Sequence, residues 1–147
     1  MKKSLSTHLV ILLSMNCALA GNWPAWRGEN ASGSTTHGNY PSELNQEKNL
    51  LWKAPLPDKG CSTPIVWENS ILLTSPINGE DSVLSFSMGG QKNWQTKIGP
   101  ERKGRHLNGS GSNPSVVTDG KNLYALFKSG NLVCLNFDGK IIWKKDL

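Results

Sequence analysis

A glycine turn followed by a tryptophan recurs along this chain, and no other feature limits its fold as strongly. The phrase reads GGQKNW at residues 89–94 and DGKIIW at residues 138–143, and Trp52 stands in a similar run further upstream. Between consecutive tryptophans the same segments return in the same order: a proline-led run, a Leu/Ile-rich run, an alternating run, a glycine turn and the tryptophan run. Four short β-type segments in each period of about 40–50 residues are typical of a β-propeller blade.

The segments between the turns favour strands over helices. Separators such as Asp119-Gly120 and Asp138-Gly139 supply the positive φ angles of tight hairpins, and no window after residue 20 keeps a helical period. The sequence therefore predicts an all-β fold, a β-propeller of four-stranded antiparallel blades. The propeller region is predicted at residues 49–147. It contains a first blade at about residues 63–98 and a second blade at about residues 113–147. A meandering sandwich is the alternative, but the joint recurrence of strand order and turn position argues against it.

One tryptophan run precedes the two blades without a blade of its own. Residues 50–56 are predicted to form an outer strand, of the kind that closes a propeller ring by completing its last blade. The second blade already has an outer strand, at residues 140–146. We therefore expect the visible sequence to be the N-terminal piece of a longer chain that carries the remaining blades.

The N-terminus has the pattern of an export signal. Lys2 and Lys3 precede a short apolar core at residues 9–13 and an A-x-A cleavage site at residues 18–20. We expect cleavage after Ala20 and a periplasmic or secreted protein. Residues 21–48 have little periodicity and are predicted to be an irregular lead segment pinned by Trp23 and Trp26.

Composition excludes several classes of function. The 16 Lys and Arg against 11 Asp and Glu form no basic stripe, so nucleic acid is not an expected partner. No apolar run approaches the roughly 20 residues of a transmembrane helix. Cys61 and Cys134 could meet in an oxidising compartment, although the sequence leaves their pairing open. The alternating pattern around Cys134 favours a buried thiol.

The repeat phrases, the run NPSVVTDGKNLYALFKSGNLVCLNFDG and the opening WPAWRG resemble the pyrroloquinoline-quinone-like (PQQ-like) β-propeller repeat family. The likeness is greatest to exported bacterial members that begin with W-P-x-W-R-G. It implies that Trp52, Trp94 and Trp143 pack between blades and that the Asp138-Gly139 turn presents its backbone for docking. Because Gly89-Gly90 lacks the aspartate, we expect a weaker docking contact in the first blade.

The longest connection, residues 99–113, is the candidate for a binding site. It joins an outer strand to the next inner strand, so we expect it to cross a propeller face. Its basic residues lie beside glycines whose amides could face an anion; they are Arg102, Lys103, Arg105 and His106. A solvated loop without a ligand is the alternative interpretation, since Glu101 dilutes the charge and no phosphate-loop spacing is present.

The resemblance allows two functions. An exported non-catalytic scaffold that binds an envelope protein or a glycan is favoured, because no hydrolase, metalloprotease or kinase motif is present. No cofactor is evident in the sequence. The alternative is a piece of a quinone-dependent dehydrogenase, for which the family implies pyrroloquinoline quinone, calcium, a catalytic aspartate and adjacent cysteines. This chain has no Cys-Cys pair. A quinone titration that leaves the melting temperature unchanged would exclude the alternative.

Overall fold

The computed structural model describes residues 21–36, 38, 40–106 and 109–147, and the predicted signal at residues 1–20 lies outside this part of the chain. Eight β-strands and no helix are found within it. The strands are β1 (Ile65–Trp67), β2 (Ser70–Thr74), β3 (Glu80–Ser87), β4 (Lys92–Pro100), β5 (Val117–Thr118), β6 (Leu123–Leu126), β7 (Asn131–Leu135) and β8 (Ile141–Asp146).

The strands form two four-stranded antiparallel sheets, and each sheet is a simple meander. The first has the order β1-β2-β3-β4 and the second the order β5-β6-β7-β8. Each sheet has a register shift at the same place in its outer hairpin, next to Ser85 in the first and next to Cys134 in the second. The prediction of an all-β chain with two four-stranded blades is therefore confirmed.

The glycine turns work as the sequence predicts. Gly90 and Gly139 have φ angles of 81° and 80° between the third and fourth strands of their sheets. Only glycine adopts this region without steric cost, so it allows the tight connection of adjacent antiparallel strands.

Residues 50–56 are not a strand, which corrects the prediction of an outer strand there. A strand is defined by its ladder of backbone hydrogen bonds, and no strand lies beside this segment in the described part of the chain. The segment is nevertheless attached to the first sheet. Trp52 Nε1 donates to the Met88 carbonyl at 2.8 Å, and Ala54 packs against the cluster of buried side chains on that side of the sheet.

The inner strand of the second sheet is shorter than its sequence pattern suggests. The second blade is predicted from about residue 113 and opens with a proline-led run, but β5 begins only at Val117. Instead of joining a strand ladder, the preceding residues bond to the Thr74 side chain of β2 and to the backbone of Thr63, just before β1. The Thr74 hydroxyl lies 2.7 Å from the Ser112 carbonyl and 2.8 Å from the Pro114 carbonyl, and the Thr63 amide donates to Ser115 Oγ.

The main core lies between the two sheets. Its members are apolar side chains from the facing surfaces, which include Ile65, Leu72 and Val83 of the first sheet and Leu123 and Val133 of the second. All five are fully buried. Since burial contributes roughly 25 cal/mol per Å² of apolar surface, this shared core is the main attraction that holds the two sheets together.

The lead segment crosses the edges of both inner strands. The Trp23 amide donates to the Val66 carbonyl at 2.7 Å, and the Val66 amide donates back at 3.0 Å. The Thr118 amide of β5 donates to the Pro24 carbonyl at 3.1 Å. Trp23 therefore pins the segment as expected, whereas Trp26 is 64% exposed and does not.

Candidate functional site

The structure brings the predicted basic residues together in one cleft. The connection begins after β4, and its exposed first half carries Arg102, Lys103, Arg105 and His106. These side chains line a cleft of about 590 Å³. Lys128, from the turn between β6 and β7, joins them and donates from Nζ to the Lys103 carbonyl at 2.9 Å.

The nearest acidic side chains line an adjoining cleft. Its described lining residues include four Lys and Arg side chains and no carboxylate. Glu101 lines a neighbouring cleft of about 370 Å³ instead, together with Asp58 and Lys59. The two clefts share the lining residues Lys103, Gly104, Gly109 and Ser110, so Glu101 adjoins the basic cluster although it does not line its cleft.

The glycines of the loop lie where its two arms meet. A Cβ on Gly111 would lie 2.5 Å from the Arg102 carbonyl oxygen, and one on Gly104 would lie 2.7 Å from the Gly109 carbonyl oxygen. These glycines let the two arms of the loop approach closely. The nearby amides are used within the loop: Gly109 N–H donates to the His106 carbonyl and Ser110 N–H to Asn113 Oδ1.

A buried carboxylate, Asp81, lies at the base of this loop. Asp81 is fully buried at the start of β3. Its Oδ1 accepts from Ser112 Oγ at 2.8 Å, and its Oδ2 accepts from Ser129 Oγ at 2.5 Å and from Asn131 Nδ2 at 3.1 Å. All three donors are uncharged, and all belong to the loop or the second sheet. A single residue of the first sheet therefore holds three parts of the chain.

The Asp81 network continues to the wall of the cleft. The Ser112 amide donates to Ser110 Oγ, and Ser110 lines the cleft. Ser129 directly follows Lys128, whose amide donates to the Gly111 carbonyl at 3.3 Å. The arm of the loop and the position of Lys128 therefore both depend on hydrogen bonds that end at Asp81. The sequence analysis did not identify this residue.

The repeated tryptophans Trp52 and Trp94 make the same contact. Trp94 Nε1 donates to the Phe137 carbonyl at 2.8 Å and its ring lies against Gly139, as Trp52 does at Met88 and Gly90. The two hydrogen bonds have the same length, so the missing aspartate does not lengthen the first. The reason is that both acceptors are backbone carbonyls, while Asp138 uses its carboxylate within its own turn.

Trp143, the third repeated tryptophan, lies on the outer face of the second sheet. It is 40% exposed, and its ring lies 6.3 Å from that of Tyr124. The Tyr124 hydroxyl donates to Asp119 and this bond raises the pKa of Tyr124. Backbone hydrogen bonds from Asn122 and Lys121 lower the pKa of Asp119. The packing role that the resemblance implies for Trp143 stays a prediction.

The cysteines lie in different environments. Cys134 is buried, as its alternating pattern predicted, and burial raises the pKa of its thiol. Cys61 is exposed, and no disulfide joins the two.

The described residues contain no group of three or more His, Cys, Asp or Glu side chains that could hold a metal ion. No described residue is therefore assigned to a calcium ion.

The comparisons with known proteins identify the family. No curated protein matches the chain. No helix in the described residues is long and apolar enough to cross a membrane. A family model described as "Outer membrane protein assembly factor BamB" matches residues 29–147, which is most of the chain. The likeness to the W-P-x-W-R-G subgroup stays a prediction. With two four-stranded sheets and the repeated tryptophan contact in place, the chain belongs to the PQQ-like β-propeller repeat family.

Proposed function

We propose that this protein is an exported, non-catalytic β-propeller scaffold that binds an acidic segment of another envelope protein. The observation that carries the proposal is the cleft beside residues 101–113, in which four Lys and Arg side chains meet without a carboxylate among the described lining residues. Arg and Lys in a concave site favour carboxylate ligands through charge-assisted hydrogen bonds. The family description, which names an assembly factor, supports a partner that is a protein.

The arginines are the groups expected to contribute most. Arg102 and Arg105 are exposed and make no side-chain hydrogen bond within the described part of the chain. Their guanidinium groups are therefore available to bind carboxylates in a bidentate geometry. Lys128 is held by its bond to Lys103 and contributes a fixed positive charge to the same cleft.

The test uses a hexaglutamate peptide as the probe, with hexaglutamine as the neutral control. We expect the full chain to bind hexaglutamate and the affinity to fall as salt screens the cleft, since the Debye length shortens to about 10 Å at 0.1 M. The double substitution Arg102→Gln and Arg105→Gln should weaken binding about five- to thirtyfold, as expected for two partly exposed ion pairs. Isothermal titration calorimetry measures both effects.

A matched control removes the same charge elsewhere. Lys121 and Lys140 are exposed and do not line the cleft, so replacing both with glutamine should leave the affinity nearly unchanged. Equal loss in the two double variants would show a general charge effect and contradict the proposed site. Failure of the wild-type chain to bind hexaglutamate at low salt would do the same.

Export is tested at the N-terminus. When the full chain is produced in a bacterial host, we expect the envelope or medium fraction to contain a protein whose first residue is Gly21, because the small residues Ala18 and Ala20 fit the signal peptidase site. Intact-mass measurement identifies the terminus. Ala18→Phe should block this cleavage, and an uncleaved cytoplasmic wild-type chain would contradict the prediction.

A further inference from the structure

The lead segment forms a groove around Trp23, on elements separate from the basic cleft. A polar cavity of about 250 Å³ is lined by Asn22, Glu29, Asn30 and Thr36. An apolar cavity of about 330 Å³ adjoins it and is lined by side chains that include Tyr40, Val66 and Met88. Trp23 and Thr35 line both cavities, so the two form one groove with a polar end and an apolar end.

The Trp23 ring is held in place from two sides. Its backbone pairs with Val66 in both directions, and a Cβ on Gly28 would lie 2.9 Å from the six-membered part of the ring. The backbone and the glycine contact therefore set the position of the ring before any ligand arrives. Ordering such a platform in advance lowers the entropic cost of binding.

The indole N–H of Trp23 makes no hydrogen bond to the described part of the chain. Trp52 and Trp94 donate their N–H groups to backbone carbonyls, but Trp23 Nε1 has no acceptor among the described residues. A half-buried indole usually finds a partner for its N–H. Trp23 thus offers a ring and a donor that the packing of the two sheets does not require.

Most polar groups around the ring are also available. Asn22 uses its Oδ1 to accept from the Glu68 amide, which leaves its NH₂ group. Glu29, Asn30 and Thr36 are exposed and make no side-chain hydrogen bond within the described residues. Together they supply an amide and a hydroxyl that can donate or accept and a carboxylate that accepts.

We propose that this groove binds a neutral saccharide. A sugar ring has an apolar C–H face that packs on an aromatic ring and a rim of hydroxyls that need both donors and acceptors. The described lining residues include no Lys or Arg, which disfavours an anion. A row of amide and hydroxyl groups disfavours a lipid chain, because each would lose its hydrogen bonds to water.

A quaternary ammonium ligand is the competing possibility, since Trp23 lies near Glu29. Recognition of such cations uses several aromatic rings around one charge. Tyr40 lines only the apolar cavity, so the polar end has a single aromatic wall. The neutral saccharide therefore fits the lining better.

The test titrates the full chain with cellohexaose and chitohexaose and follows the indole N–H signals by NMR. We expect a saturable shift of the Trp23 signal with at least one of the two, at a Kd of about 0.1–1 mM as befits a shallow, open groove. No saturable shift with either probe would overturn the proposal. Choline that produces the same shift at lower concentration would also overturn it.

Variants locate the binding. Glu29→Ala and Asn30→Ala should each weaken binding about three- to tenfold, the value of one hydrogen bond. Trp26→Ala serves as the control, because Trp26 is 64% exposed and lines a different cleft. Unchanged affinity in both Glu29→Ala and Asn30→Ala would reject the site. The Arg102→Gln and Arg105→Gln variant should bind the saccharide normally, so this inference and the proposed function can fail separately.

Discussion

Replacing Asp81 with alanine is expected to lower the free energy of unfolding by about 3 kcal/mol or more. The carboxylate is fully buried and accepts hydrogen bonds from Ser112, Ser129 and Asn131. Hydrogen bonds to a charged group are each worth roughly 1.5–3 kcal/mol, and donors left unsatisfied in the interior add a penalty. The melting temperature should fall by about 10 °C. Urea unfolding and thermal unfolding, followed by tryptophan fluorescence, measure the loss.

Two variants separate this network from a general loss of negative charge. Asp81→Asn keeps the shape and one acceptor oxygen, and the Ser112 hydroxyl can rotate to accept from the new NH₂ group, so we expect a smaller cost of about 1–2 kcal/mol. Glu80→Ala removes the adjacent carboxylate, which is partly exposed and pairs with Lys97. It should cost about 1 kcal/mol or less. Equal destabilisation by Glu80→Ala and Asp81→Ala would refute the assignment.

The architecture was predictable from sequence because it depends on local signals. Alternation marks a strand with two different faces, and glycine at positions such as Gly139 marks a turn that other residues cannot enter cheaply. The eight strands follow these signals closely. Residues 50–56 have the same local pattern, but strand formation also requires a neighbouring strand, which sequence alone does not supply.

The candidate site was only half predictable. The cluster around Arg102 is visible because its members are close in sequence. The position of Glu101 in the adjoining cleft, and the role of Gly111 in close approach, depend on how the loop folds back. In the sequence, Asp81 follows Glu80 directly and has the pattern of a surface carboxylate. Its burial arises because Ser112, Ser129 and Asn131 lie 31 to 50 residues away in sequence and meet it only after the sheets pack.

The repeated contact between tryptophan and glycine explains why the turn phrase recurs. In this contact a backbone carbonyl accepts from the indole, and a glycine without Cβ makes room for the ring. The close approach of ring and glycine, without the indole hydrogen bond, also occurs at the inner hairpins, where a Cβ on Gly120 would lie 2.9 Å from the ring of Trp67. Glycines in these turns therefore have two roles. They adopt the positive φ angle of the turn, and their lack of a Cβ leaves room for the tryptophan ring of the neighbouring segment.

Replacing Gly139 with alanine should accordingly destabilise the fold by about 2–5 kcal/mol. The φ angle of 80° costs an L-residue roughly 1–2 kcal/mol, and the new Cβ would lie 2.6 Å from the Trp94 ring, which adds an overpacking cost of about 1–3 kcal/mol. Denaturant unfolding of the full chain measures the sum.

Gly79 is a control that separates the overpacking cost from the conformational cost. Its φ of 78° is nearly the same as that of Gly139, but a Cβ there would meet nothing within 4 Å. Gly79→Ala should therefore lower the free energy of unfolding only by the conformational cost of about 1–2 kcal/mol. When Trp94 is already alanine, the cost of Gly139→Ala should fall towards this value, since the ring is gone and only the Thr96 hydroxyl, 3.0 Å from the new Cβ, stays close. If Gly139→Ala costs no more than Gly79→Ala while Trp94 is present, the ring does not need the glycine, and the recurrence of the phrase must be explained by the turn alone.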